Sequence, residues 1–264
     1  MRKHFWWIGC VFLIFSISVI AWKPETAKRI TVANKAVTTA KDVFTQYVTT
    51  IYQTARLQES GLDLDVFQKA LTGYFNLKST NKLPENSSVI TVVDFSKPSH
   101  EKRMWIIDLL SKQLLLNTWV AHGTGSGEDM ATEFSDTNDS HQSSLGFYLT
   151  DDVYKGKHGR SLRLDGLDEG FNASARARDI VLHAADYVGQ GAIDQMGRIG
   201  RSFGCPAVSP EVVNQVINTI KGKTLLFING NNPNYTSKYL DESVFANFTM
   251  PDTTGNVDPI VASN

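Results

Sequence analysis

A mainly β domain preceded by a small helical element is the fold class this chain predicts, and three patterns predict it. From Ser88 onward the apolar residues fall in short or alternating runs between polar loops: Val89 to Phe95, Met104 to Leu109, Leu114 to Ala121, Phe147 to Leu149, Ile180 to His183 and Thr224 to Ile228. Runs of that length, rich in β-branched residues, fit strands of a sheet covered on its faces. Before Ser88 the period is helical. Val43, Phe44, Tyr47, Val48, Ile51, Tyr52 and Ala55 make one stripe; Phe67, Leu71, Tyr74 and Phe75 make a second after Gly61, with Asp63 as N-cap. Such aromatic stripes are packing faces, so two mutually packed helices without chemistry are predicted there. The third pattern is one late helix: Ser209 as N-cap, Pro210 at its first position, Val212, Val213, Val216, Ile217 and Ile220 as its apolar face, and Gly222 as its stop.

The ends have their own character. Arg2 and Lys3 precede an uncharged apolar run from Phe5 to Ala21, the layout of a leader for export. Residues 1–22 read equally as a cleaved signal peptide or a retained anchor, the run lying near the lower limit for spanning, about 17 residues. The basic start places the bulk of the chain outside the cytoplasm, in the periplasm or cell envelope. Cys10 lies inside the apolar run and reads as a small apolar residue. Residues 23–38 resemble a linker, 39–80 the helical element, 81–230 the main domain, and 231–264 a polar, poorly ordered tail. Net charge is −1, and −3 without Arg2 and Lys3, which gives no footprint for nucleic acid.

The remaining thiol, Cys205, stands in Arg201-Ser202-Phe203-Gly204-Cys205-Pro206, 22 residues after His183. An exported chain with one cysteine beyond its leader has no partner for an internal disulfide, so reactivity is the more informative reading. Arg198 and Arg201 upstream and a helix start downstream predict a lowered thiol pKa, with alkylation well below pH 8.5. Gly204 permits a sharp turn, and the amides around Cys205 would face a developing oxyanion. His183 ends an apolar strand able to hold an imidazole steady as a base. His122, His141 and His158 show no metal-binding spacing, and neither metal nor organic cofactor is expected.

Ile180 to His183 together with Gly197 to Ala207 resembles the murein L,D-transpeptidase catalytic-domain family, YkuD-like, in the branch reading Arg-Ser-aromatic-Gly-Cys-Pro at its nucleophile. Asp94 to Ser99, Val120 to Gly123, Ser140 to Tyr148 and Leu162 to Leu167 match in order, so the resemblance spans roughly residues 60 to 230. It implies a β-sandwich or barrel-like catalytic domain and an acyl-enzyme on Cys205. That enzyme would act on peptidoglycan stem peptides, release D-alanine from tetrapeptides and form 3→3 cross-links, with carbapenems as acylating inhibitors. It assigns His183 as base, oriented by the carbonyl of Ala184, the amides of Gly204 and Cys205 as oxyanion donors, and Ser202 as support. Arg160, Arg163, Arg176 and Arg178 flank a Gly-rich stretch that reads as a lid loop, with Arg163 a bidentate partner for a stem carboxylate, or equally as a solvated charged loop. Ser144 and Tyr148 are read as groove-lining or equally as strand-end packing, and His122 and Arg201 complete the substrate side. Most of the family has His where this chain has Phe203, and Pro206 and Ala207 also depart, so family contacts after the cysteine do not carry over. An L,D-carboxypeptidase using water as acceptor, and a silent wall-binding module, stay open beside the transpeptidase. Membrane contact would come only through an uncleaved N-terminal segment, and oligomeric state is not legible.

Overall fold

The computed structural model describes residues 39–246 and Phe248. The expected leader, the linker and the end of the tail lie outside the described residues. Helix α1, Ala40–Thr54, opens with a capping box in which Thr39 Oγ1 accepts from the Asp42 amide at 3.1 Å while the Asp42 carboxylate accepts from the Thr39 amide at 2.9 Å. Helix α2, Leu64–Ser79, follows Asp63 in the N-cap position, although the Asp63 side chain makes no capping bond. The predicted stripes are the buried faces: Phe44, Val48 and Ile51 meet Phe67, Leu71 and Phe75 in one apolar cluster.

These helices lie on a sheet of eight strands. In chain order they are β1 Val89–Asp94, β2 Met104–Asp108, β3 Gln113–Thr118, β4 Gly146–Gly156, β5 Gly159–Gly166, β6 Val181–Ala184, β7 Ala207–Val208 and β8 Leu225–Asn229. In space they run β3-β2-β1-β8-β4-β5-β6-β7. The β1–β8 and β6–β7 pairs are parallel and the other pairs antiparallel. The two edges approach each other: past the end of β3, the Ala121 amide donates to the β7 carbonyl of Ala207 at 2.8 Å, and Gly123 bridges Ser202. The sheet is therefore nearly closed, which limits its exposed edges.

Strand alternation distributes side chains between two cores. Ile90, Val92, Trp105, Ile107, Phe147, Leu225 and Phe227 face α1 and α2. Val93, Met104, Ile106, Tyr148, Leu226 and Ile228 face the opposite cluster with Leu162, Leu164 and Leu182. Contact between α2 and the sheet is close at Gly73, where an added Cβ would fall 2.0 Å from the Phe147 ring. The second face is covered by helix α4, Val213–Ile220, through Val216, Ile217 and Ile220. A short helix, α3, Gln190–Met196, lies between β6 and the Cys205 loop.

Three expectations need correction. The segment around Arg160 and Arg163 is strand β5 of a β4–β5 hairpin, not a lid loop. Helix α4 starts three residues later than its signals imply, because Ser209 caps a turn in which its carbonyl accepts from Val212 and Val213. Residues 231–246 are no loose tail: Tyr239, Val244 and Phe245, with Phe248, are buried against α1 and α2, and Phe245 stacks on Phe44 at 3.6 Å between ring centroids.

Candidate active site

Strand β6 carries His183, and its parallel pairing with β7 sets His183 opposite Ala207, two residues after Cys205. The Cys205 thiol lies against the start of the same strand. Its Sγ accepts from the Val181 amide at 3.5 Å and is 3.6 Å from the Asp179 carbonyl oxygen. The His183 ring is buried, with Nδ1 2.8 Å from the Ala184 carbonyl oxygen. A carbonyl only accepts, so Nδ1 carries the proton and Nε2 keeps its lone pair in the neutral ring. Burial lowers the His183 pKa, and the nearby charges of His158 and Lys157 act in the same direction against the bond to Ala184. The imidazole is therefore neutral near pH 7 and able to accept a proton.

The thiol departs from expectation. Burial raises the Cys205 pKa, outweighing the Val181 amide and the positive charges of Lys157 and Arg178. The arginines adjacent in sequence point elsewhere: Arg198 and Arg201 both bind Glu128 at 2.9 Å, and Arg201 also donates to the Gly127 carbonyl. Helix α4 begins eight residues after Cys205, too far along the chain for its first turn to hold the sulfur. At rest the pair is a neutral thiol and a neutral imidazole, not an ion pair.

The loop before Cys205 is built tightly. Ser202 Oγ donates to the Cys205 carbonyl at 2.6 Å and accepts from the Gly204 amide at 3.1 Å. The Gly204 amide is thereby engaged as a brace, whereas the Cys205 amide has no acceptor among the described residues. Gly204 sits at φ 120°, and a Cβ there would come within 2.9 Å of the Gln142 carbonyl oxygen, so glycine is required by both conformation and space.

Other predicted positions separate into wall and core. Arg163 on β5 is paired with Val181 on β6 and is half-buried, its guanidinium 4.4 Å from the centre of the Tyr154 ring. Ser144 and Tyr148 are buried, not groove-lining: the Tyr148 hydroxyl donates to the Ser144 carbonyl, and Ser144 Oγ donates to Ser135. His122 is buried too. Its Nδ1 accepts from Arg103 at 2.7 Å and its Nε2 donates to the Gly127 carbonyl, which removes it from the substrate side.

Residues to which sequence reasoning gave no role in the site complete the surroundings. Arg178, nearly inaccessible, donates to Ser135, Ser140, Ser144 and Gln142 and so fixes the 135–144 loop behind Gly204. Tyr187 lies near the thiol; its pKa is raised to about 12 by burial first and by Cys205 second. Phe203, 69% exposed, stacks on His141 beside the nucleophile loop, and His158 stacks on His183.

A mainly β protein with a carbonyl-oriented imidazole on β6 and a thiol in the loop leading into the neighbouring β7 is the class these features define. A model of the L,D-transpeptidase catalytic domain matches residues 58–229. The chain belongs to that family. Among solved structures it is similar to an L,D-transpeptidase from Mycobacterium smegmatis (10% identity, 54% of this chain and 59% of that one, TM-score 0.35). Others are one from Stackebrandtia nassauensis (14%, 71% and 78%, TM-score 0.34) and L,D-transpeptidase 1 of Mycobacterium tuberculosis (11%, 55% and 63%, TM-score 0.32). The chain thus spans less than two thirds of the length of both mycobacterial relatives. No curated protein sequence matches it.

Proposed function

We propose that this protein is a peptidoglycan L,D-transpeptidase of the cell envelope, with Cys205 as nucleophile and His183 as base. The supporting observation is the fixed tautomer: Nδ1–H donates to Ala184 and leaves the Nε2 lone pair to take a proton on a strand that also holds Sγ. With both groups neutral at rest, the thiol proton passes to Nε2 as sulfur attacks the carbonyl between diaminopimelate and D-alanine. The Cys205 amide, without an acceptor among the described residues, donates to the oxyanion. Collapse of the tetrahedral intermediate breaks the C–N bond; the D-alanine amine leaves with the proton from His183, and the stem acyl group remains on sulfur. An amine from a second stem then attacks the thioester, His183 takes its proton, and the thiol re-forms with a 3→3 cross-link. Arg163, held over Tyr154, is the proposed partner of a stem carboxylate.

The test is mass analysis of products from disaccharide-tetrapeptides, beside a Cys205→Ala control and a carbapenem-acylation assay. Cross-linked dimers and a covalent carbapenem adduct, both absent from the variant, are expected. Tripeptide monomers alone would replace the reading with an L,D-carboxypeptidase. Neither product nor adduct would leave a wall-binding module.

A further inference from the structure

One imidazole outside the proposed chemistry is in direct contact with it. The His158 ring stacks on His183 with centroids 4.2 Å apart and planes 20° apart. His158 is exposed, and its side chain makes no hydrogen bond among the described residues. It occupies, with Lys157, the two-residue connection of the β4–β5 hairpin, whose last pair is Gly156 with Gly159. Gly159 has φ 77°, and a Cβ there would meet nothing within 4 Å; backbone conformation calls for glycine, letting the hairpin reverse within two residues.

That placement answers a need of His183. The bond from Nδ1 to Ala184 restrains one edge of the ring and leaves tilt about that edge open. A second ring lying flat against its face removes the tilt. A two-residue reversal between β4 and β5, whose arms are paired from Val153 with Leu162 to Gly156 with Gly159, is a stiffer support than a long loop.

We propose that His158 is a positioning residue for His183, holding the plane of the imidazole so that Nε2 keeps one orientation for taking a proton. The proposal rests on His183 being the base of the acyl transfer described above. The face of the ring is what acts, so Phe in place of His158 preserves the function and Ala does not.

The experiment compares the full chain with its His158→Ala and His158→Phe variants by two readouts. Long-range nitrogen–proton correlation spectra of His183 report its tautomer and ring environment without any turnover. Rates of D-alanine release from disaccharide-tetrapeptide report catalysis. His158→Ala is expected to shift and broaden the His183 ring signals, with Nδ1 still protonated, and to slow release roughly three- to tenfold, with the loss in kcat and not KM. His158→Phe is expected to restore both. Unchanged His183 signals in His158→Ala, or His158→Phe as impaired as His158→Ala, would overturn the proposal. If the wild-type chain releases no D-alanine while the His183 signals still respond as described, the positioning role stands and only the enzymatic reading fails.

Discussion

At the scale of single residues, the site is governed by burial more than by neighbouring charge. Cys205 sits near Lys157 and Arg178, yet its pKa is raised because the cost of placing a thiolate in a poorly solvated position exceeds their attraction. Iodoacetamide should therefore alkylate Cys205 slowly at pH 7, with a rate still climbing above pH 8.5, the ordinary thiol value being about 8.5. A plateau reached below pH 8 would contradict the structure. Gly204 is the second residue on which the loop depends. Its φ of 120° and the 2.9 Å approach of an added Cβ to Gln142 make Gly204→Ala costly by about 1–3 kcal/mol, read as a lower midpoint in urea with an unchanged slope. Cys205, His183 and Gly204 were all legible in the sequence as residue types in a meaningful pattern. Arg198 and Arg201 were misleading: proximity along the chain says nothing about side-chain direction, and Glu128 turns both away from the sulfur.

At the scale of elements, hydrophobic runs located six of the eight strands, and those not found have a common cause. β7 is two residues long, and β5 interleaves Arg160, Arg163 and Asp165 with its buried Leu162 and Leu164, so its period is masked by charge and by flanking glycines. The polar C-terminal segment misled for a different reason. Its few apolar residues reach the helices only because Asp168 anchors the segment, accepting from the Phe147 amide (2.8 Å), the Tyr235 hydroxyl (2.8 Å) and Ser237 Oγ (2.6 Å). Asp168→Ala would orphan a buried amide and free the strap, at an expected cost of about 2–4 kcal/mol. Denaturant unfolding checks this, and proteolysis between residues 231 and 246 should accelerate in the variant. Equal stability and equal protection would show that the aromatic contacts of Phe245 and Phe248 hold the strap unaided.

At the scale of the whole molecule, acid should loosen the nearly closed sheet. His122, buried beside Arg103 where the strands 3 and 7 ends meet, has its pKa lowered to about 4 by burial and by the guanidinium. The unfolded chain binds a proton near pH 6.5 and the folded chain only near 4, so stability is full above 6.5 and declines as pH falls toward 4. His183, also lowered, adds in the same direction. Unfolding free energy should drop by roughly 2 kcal/mol between pH 7 and pH 4.5, and His122→Gln should flatten that slope. Identical stability at both pH values would refute the assignment. By itself the sequence determined the mainly β class, the helix pair and the identity of the thiol and the imidazole, because period and residue type are local properties. Only the tertiary structure decided that the thiol is neutral, that His122, Ser144 and Tyr148 belong to the core, and that His158 lies on His183. Those outcomes depend on which groups lose water and which loops meet when the sheet curls, and neither is written in the spacing of residues along one strand.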